Sequence, residues 1–241
     1  GASFENYYEL QFFKKSRTEC RQYLTSSLRH ELTRQVNDPC EALVLKDKVR
    51  FSEVFEDILG RRVMTFDEIK RQMHDPYSIS INEVVIKPIK GQAGQGIIFP
   101  MQNFTSLRQL HDYVISTVKK PDEYLYEERI IQHSALNKLN PSSLNTLRIV
   151  TYYDESINKV DVWSVVLRIG IKACTDNFAT GGIAALVDHR GVVCQPAIIK
   201  HPSGERFHIH PVSGEKITGC IIPYYDQAIA CLLSTSDAAD E

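Results

Sequence analysis

A chain of 241 residues carrying 28 basic and 30 acidic side chains has a formal charge of -2, which supplies no overall basic field for nucleic acid or an anionic membrane surface. Its 43% apolar and 24% charged content is that of an ordinary globular protein, long enough for two lobes with cores of their own. No run approaches the roughly 20 apolar residues of a membrane helix and no secretory signal is visible. The six cysteines (Cys20, Cys40, Cys174, Cys194, Cys220, Cys231) stand far apart without zinc-ligand spacing, so reduced thiols in the cytoplasm are expected.

The front of the chain reads as mostly helical. Ser16 and Glu19 form a capping-box pattern, and Cys20, Tyr23, Leu24, Leu28 and Leu32 share one face of a helix expected over 16–36. Asp38-Pro39 ends it. A second helix is expected over 48–59, burying Phe51, Val54, Phe55, Ile58 and Leu59, with Gly60 as its C-cap. Thr65 and Glu68 start a third, short helix. Strands are then expected over 83–89 and 97–99, a helix over 106–118, and further strands over 124–130, 147–153, 160–169, 182–187 and 192–199. The short connections favour antiparallel pairing, and the whole predicts an α+β, two-lobed architecture with an antiparallel sheet in each lobe.

The most informative local pattern runs from Val84 through Lys87-Pro88-Ile89-Lys90-Gly91-Gln92-Ala93-Gly94-Gln95-Gly96. Three closely spaced glycines allow several backbone N–H groups to converge on one anion, and Lys87 at the strand end supplies a charge-assisted donor. No Gly-Lys-Ser/Thr follows, so this is not a Walker loop, and the next element is a strand, which excludes a dinucleotide fingerprint. The same pattern fits a flexible hairpin turn with a solvated lysine.

Lys-Pro followed by a glycine-rich hairpin resembles the phosphate-covering loop of ATP-grasp enzymes. Further stretches are similar to the sugar-transfer-associated branch: Tyr7-Tyr8-Glu9-Leu10, Asp47-Lys48-Val49-Arg50-Phe51, Glu127-Glu128-Arg129-Ile130-Ile131-Gln132-His133, Ser143 to Thr151, Leu167-Arg168-Ile169-Gly170, Asp176 to Ile183 and His210-Pro211-Val212-Ser213-Gly214. The resemblance implies an ATP-grasp fold: a helical region over 1–60, a small lobe with the phosphate loop over 61–125, and a large lobe over 126–230. It implies that Lys48 and Lys87 reach the nucleotide and that Gly91, Gly94 and Gly96 close over the triphosphate. It places Glu127, Glu128 and Ile130 at the inter-lobe hinge, where backbone groups read adenine and a carboxylate takes the ribose. It makes Arg148, Arg168 and Asn177 catalytic, Asn145, His133, Gly181 and Gly182 substrate-binding, and Asp176 and Asn177 weak metal ligands. Each has a plainer alternative: a surface lysine, a paired strand arginine, an Asx turn at Asp176-Asn177, or a structural histidine at His133. His208 and His210 flank Ile209 but lack a third metal ligand.

The implied cofactors are ATP and Mg²⁺. The implied activity is ATP-dependent carboxylate–amine (or related acyl) ligation through an acyl phosphate, in cell-surface polysaccharide biosynthesis alongside glycosyltransferases. A sugar or polyol kinase and a non-catalytic nucleotide-binding partner of glycosyltransferases are the alternatives. The family's main carboxylate metal ligands have no counterpart after Asp226. Residues 231–241 resemble a translated sequencing-library adapter, so the expectation is a metagenomic fragment, truncated near Ala230, that does not complete catalysis by itself.

Overall fold

Local capping sets the helical front. The computed structural model describes residues 7–8, 11–74, 83–90, 95–172, 175–200 and 205–237. Ser16 accepts from the Glu19 N–H and Glu19 reaches back to the Ser16 N–H at 2.7 Å, opening α1 (Arg17–Arg21). The single helix expected over 16–36 is broken: Thr25 accepts from the Leu28 N–H and opens a second helix, α2 (Ser26–Val36). That break resets the apolar stripe, and Leu24 and Leu28 stay exposed.

Next come α3 (Glu41–Lys46), α4 (Lys48–Val54) and α5 (Glu56–Leu59). The helix expected over 48–59 also divides, at Phe55, whose φ of -109° and ψ of 21° leave the helical region. Val54 and Ile58 are consequently exposed instead of buried. Gly60 does end α5 in the left-handed conformation, at φ 61°.

A three-stranded antiparallel sheet follows, in the order β1 (Val63–Thr65), β3 (Tyr124–Glu128), β2 (Val84–Pro88). Thr65 and Glu68 form a capping box at the start of α6 (Phe66–Gln72), and Ser106 caps α7 (Leu107–Thr117). The strand expected over 97–99 contributes a single bridge, Ile98 to Ile86. One face of this sheet packs Met64, Val84, Ile86 and Tyr126 against Phe66, Ile69, Leu107, Leu110 and Val114 of the two helices. The other face carries Val63, Val85, Lys87, Leu125 and Glu127, as the register requires.

Beyond α8 (Ser134–Leu139) lies a five-stranded antiparallel sheet in sequential order: β4 (Thr146–Asp154), β5 (Lys159–Ile169), β6 (Ile183–Val187), β7 (Ala197–Ile199) and β8 (Arg206–Phe207). The strand expected over 192–199 is shortened to Ala197–Ile199, because Pro196 has no N–H to give a ladder. Val165, Leu167, Ile169, Ile183, Ala185, Val187 and Ala197 form its buried face. The last element, α9 (Tyr225–Asp237), runs through position 231, where the sequence reading begins a foreign tail.

The chain divides into two compact units, residues 23–131 and residues 2–22 with 132–241. Each unit has its own hydrophobic core. No helix among the described residues is long and apolar enough to cross a membrane.

Candidate functional site

The first unit gathers cations around one carboxylate. Val85 pairs with Glu127 and Lys87 with Leu125, so Lys87 and Glu127 share the sheet face turned away from the core. Lys87 Nζ donates to Glu127 Oε2 at 2.7 Å, and Arg61 Nε donates to the same oxygen at 3.0 Å. Lys48, at the first turn of α4, donates to the Pro88 carbonyl at 2.5 Å. Only 7% of the Glu127 residue surface is exposed. Burial alone would raise its carboxyl, but Lys87 and Arg61 outweigh that and hold it below the usual carboxylate range. Burial and the neighbouring Lys87 lower the Lys48 ammonium, and Glu127 partly offsets them.

Adjacent strand residues point to opposite faces, so only one of the two glutamates joins this cluster. Glu128 instead lies beside the Arg62 backbone N–H, at 3.4 Å. Ile130 is exposed just past β3. Gly96 has φ 71°, and a Cβ there would sit 2.9 Å from the Pro88 ring, so the returning arm of the hairpin admits only glycine without a shift. Gly91 and Gly94 lie outside the described residues.

The second unit centres on Asp176, buried to 7% exposure. Its Oδ1 takes the Arg168 guanidinium at 2.7 Å; its Oδ2 accepts from the Thr146 N–H at 3.0 Å and from the Thr146 hydroxyl. Thr146 pairs with Arg168 and Arg148 with Val166, so both arginines stand on the sheet face opposite the core. Gly182 is wedged against this loop: a Cβ would meet the Asp176 carbonyl at 2.6 Å. Gly181, at φ 100°, makes the turn before it.

Other expected site residues are engaged locally. Asn177 accepts from the Ala179 N–H at 3.1 Å, an Asx turn. Asn145 is 6% exposed and uses its amide internally, donating to the Leu136 and Asn140 carbonyls and accepting from the Gly170 N–H. His133 caps α8 through Nδ1 at 3.2 Å from the Ala135 N–H, with its ring edge-on to Tyr224. His210 is a structural residue: Nδ1 accepts from the Val212 and Ser213 N–H groups, leaving Nε2–H to donate to the Gly170 carbonyl at 2.9 Å.

Sequence reasoning missed Arg61 and Thr146. Arg61 follows the legible stop at Gly60, but its partner lies far along the chain. Thr146 adjoins Asn145, and only the loop carrying Asp176 reveals its use.

The family model for sugar-transfer associated ATP-grasp matches residues 27–239. The chain belongs to that family. No curated protein and no solved structure gives a match. The match covers Lys48, Lys87, Glu127, Arg148, Arg168 and Asp176, and runs past Cys231. Helices with two antiparallel sheets agree with the α+β architecture of an ATP-grasp protein, a family of ATP-dependent, ligase-like enzymes. The cationic surroundings of Glu127 suit phosphate oxygens, which ATP would bring to Lys48 and Lys87. The fit to Mg²⁺ is different. Both Asp176 oxygens are engaged, and no group of three or more His, Cys, Asp or Glu side chains able to hold a metal occurs among the described residues.

Proposed function

We propose that this chain is the nucleotide-handling core of an ATP-dependent carboxylate–amine (or related acyl) ligase serving cell-surface polysaccharide biosynthesis. The observation that carries the reading is the cluster of Lys48, Lys87 and Arg61 around Glu127, in which Lys87 sits near the end of β2, the strand that precedes the glycine-rich segment. Lys87 and Lys48 bind the phosphates of the nucleotide, and Glu127 fixes Lys87 in place for them. The segment carrying Gly91, Gly94 and Gly96 covers the phosphates and excludes water. Backbone groups at 128–131 read the adenine edge.

In the reaction, a carboxylate oxygen attacks the γ-phosphorus, the bond to the β-phosphate oxygen breaks, and ADP leaves. An amine then attacks the acyl carbon, loses its proton and displaces phosphate. Charge grows on the transferring oxygens, and the arginine forks of Arg148 and Arg168 match it. Asp176 and Thr146 hold Arg168 in position. Asn145 supports the substrate end indirectly, through Gly170 and the start of β4.

The test is a hydroxylamine trap applied to the natural gene product with a panel of carboxylates. Carboxylate-dependent ADP release with hydroxamate formation is expected. Phosphorylation of a sugar or polyol hydroxyl without hydroxamate would replace the ligase reading with a kinase, and ATP binding without turnover would replace it with a non-catalytic partner of glycosyltransferases.

A further inference from the structure

The register of the five-stranded sheet aligns Thr146, Arg168, Ala184, Ile198 and Arg206 as successive neighbours across all five strands. Directly opposite residues share a face, and this face is turned away from Leu167, Ile183 and Ala197 of the core. Arg148 lies two residues beyond Thr146, before the bulge that follows Val150, and so shares the face. Arg168 is paired with Asp176. Arg148 and Arg206 are exposed, and their guanidinium groups have no ion pair among the described residues.

Neighbouring strands lie about 4.8 Å apart, which roots Arg168 and Arg206 about 14 Å apart in one row. Between them stand small Ala184 and half-buried Ile198, with exposed Leu186 alongside Ala184 on β6. On the core side of the bulge no strand residue of this face is acidic; Asp154 and Asp161 lie beyond it, toward the far ends of β4 and β5, and Asp161 pairs with Lys159. The arrangement is a floor with a cationic site at each end and an uncharged, largely apolar middle.

We infer that this face takes an elongated acceptor with two anionic groups, the first held at Arg168 and Arg148 and the second at Arg206. The inference rests on the reading that sets Arg148 and Arg168 at the transferring phosphoryl group, which the substrate carboxylate attacks, and it names the class of that substrate. Arg206 is then a specificity-determining residue, because a planar guanidinium reads carboxylate or phosphate bidentately. Ligands with one anionic group occupy only the first site.

Calorimetry with linear alkane bisphosphonates of graded chain length, and with the matching dicarboxylates, tests this on the whole chain. Affinity is expected to peak at one intermediate length, at least tenfold above the monophosphonate of equal chain. Arg206→Gln should flatten that peak and leave monophosphonate affinity within twofold. Arg206 is exposed, so the variant's thermal unfolding should match the parent's and exclude misfolding. An unaltered peak in Arg206→Gln, or no peak in the parent, overturns the inference. Preference for bisphosphonates assigns a phosphorylated acceptor end, and preference for dicarboxylates a carboxylated one. Mg·ATP titrations run in parallel separate the two readings: lost nucleotide binding with an intact peak sinks the ligase assignment, and the reverse sinks the acceptor assignment.

Discussion

At Glu127 a single buried carboxylate faces three cations, Lys87 and Arg61 by contact and Lys48 through its field. Its folded pKa lies below the ordinary 4.5, so the stability it contributes is fully present at neutral pH and is lost as pH falls through that lowered value. Glu127→Gln should cost about 2 kcal/mol at pH 7. In urea unfolding, the gap to the parent should shrink between pH 5 and pH 3; a constant gap contradicts the linkage. Asn145→Ala should cost a similar amount, about 2 kcal/mol, by leaving the buried Gly170 N–H without its acceptor and removing one donor each from the Leu136 and Asn140 carbonyls. The place of Lys87 near the end of β2 was legible because its signal is local. The choice between Glu127 and Glu128 was not, since it depends on a strand register set by a partner distant in sequence.

Elements were legible where their signals sit three or four residues apart. Both capping boxes, at Ser16/Glu19 and Thr65/Glu68, form as the spacing predicts. Thr65→Ala should cost about 1 kcal/mol in chemical denaturation, a loss that Thr65→Ser largely avoids. Helix breaks were harder to read. Thr25 is both a tolerable helix residue and a good N-cap, and tertiary context decides between those roles. β1 is only three residues long and pairs with a strand far along the chain, so no periodicity announces it. α8 opens on a histidine cap, outside the usual set of capping residues.

Across the molecule, short connections correctly indicated the antiparallel pairing of the larger sheet, while the β1-β3-β2 order of the smaller sheet, whose strands are separated by helices, has no local signature. The two cores share no residue. Ile86→Ala and Leu167→Ala, each fully buried in its own core, should each cost about 2–5 kcal/mol, and the double variant should match their sum within about 0.5 kcal/mol. A larger departure in equilibrium unfolding would show that the cores are coupled. Nucleotide binding is the property on which the functional account stands, and Lys87 is its most exposed commitment. The most direct measurement is Mg·ATP calorimetry on the chain and its Lys87→Ala variant, in which Arg61 still pairs Glu127 and preserves the fold. Binding by the parent and at least a tenfold loss on substitution, about 1.4 kcal/mol, are expected. Equal affinity in two folded proteins would contradict the functional account.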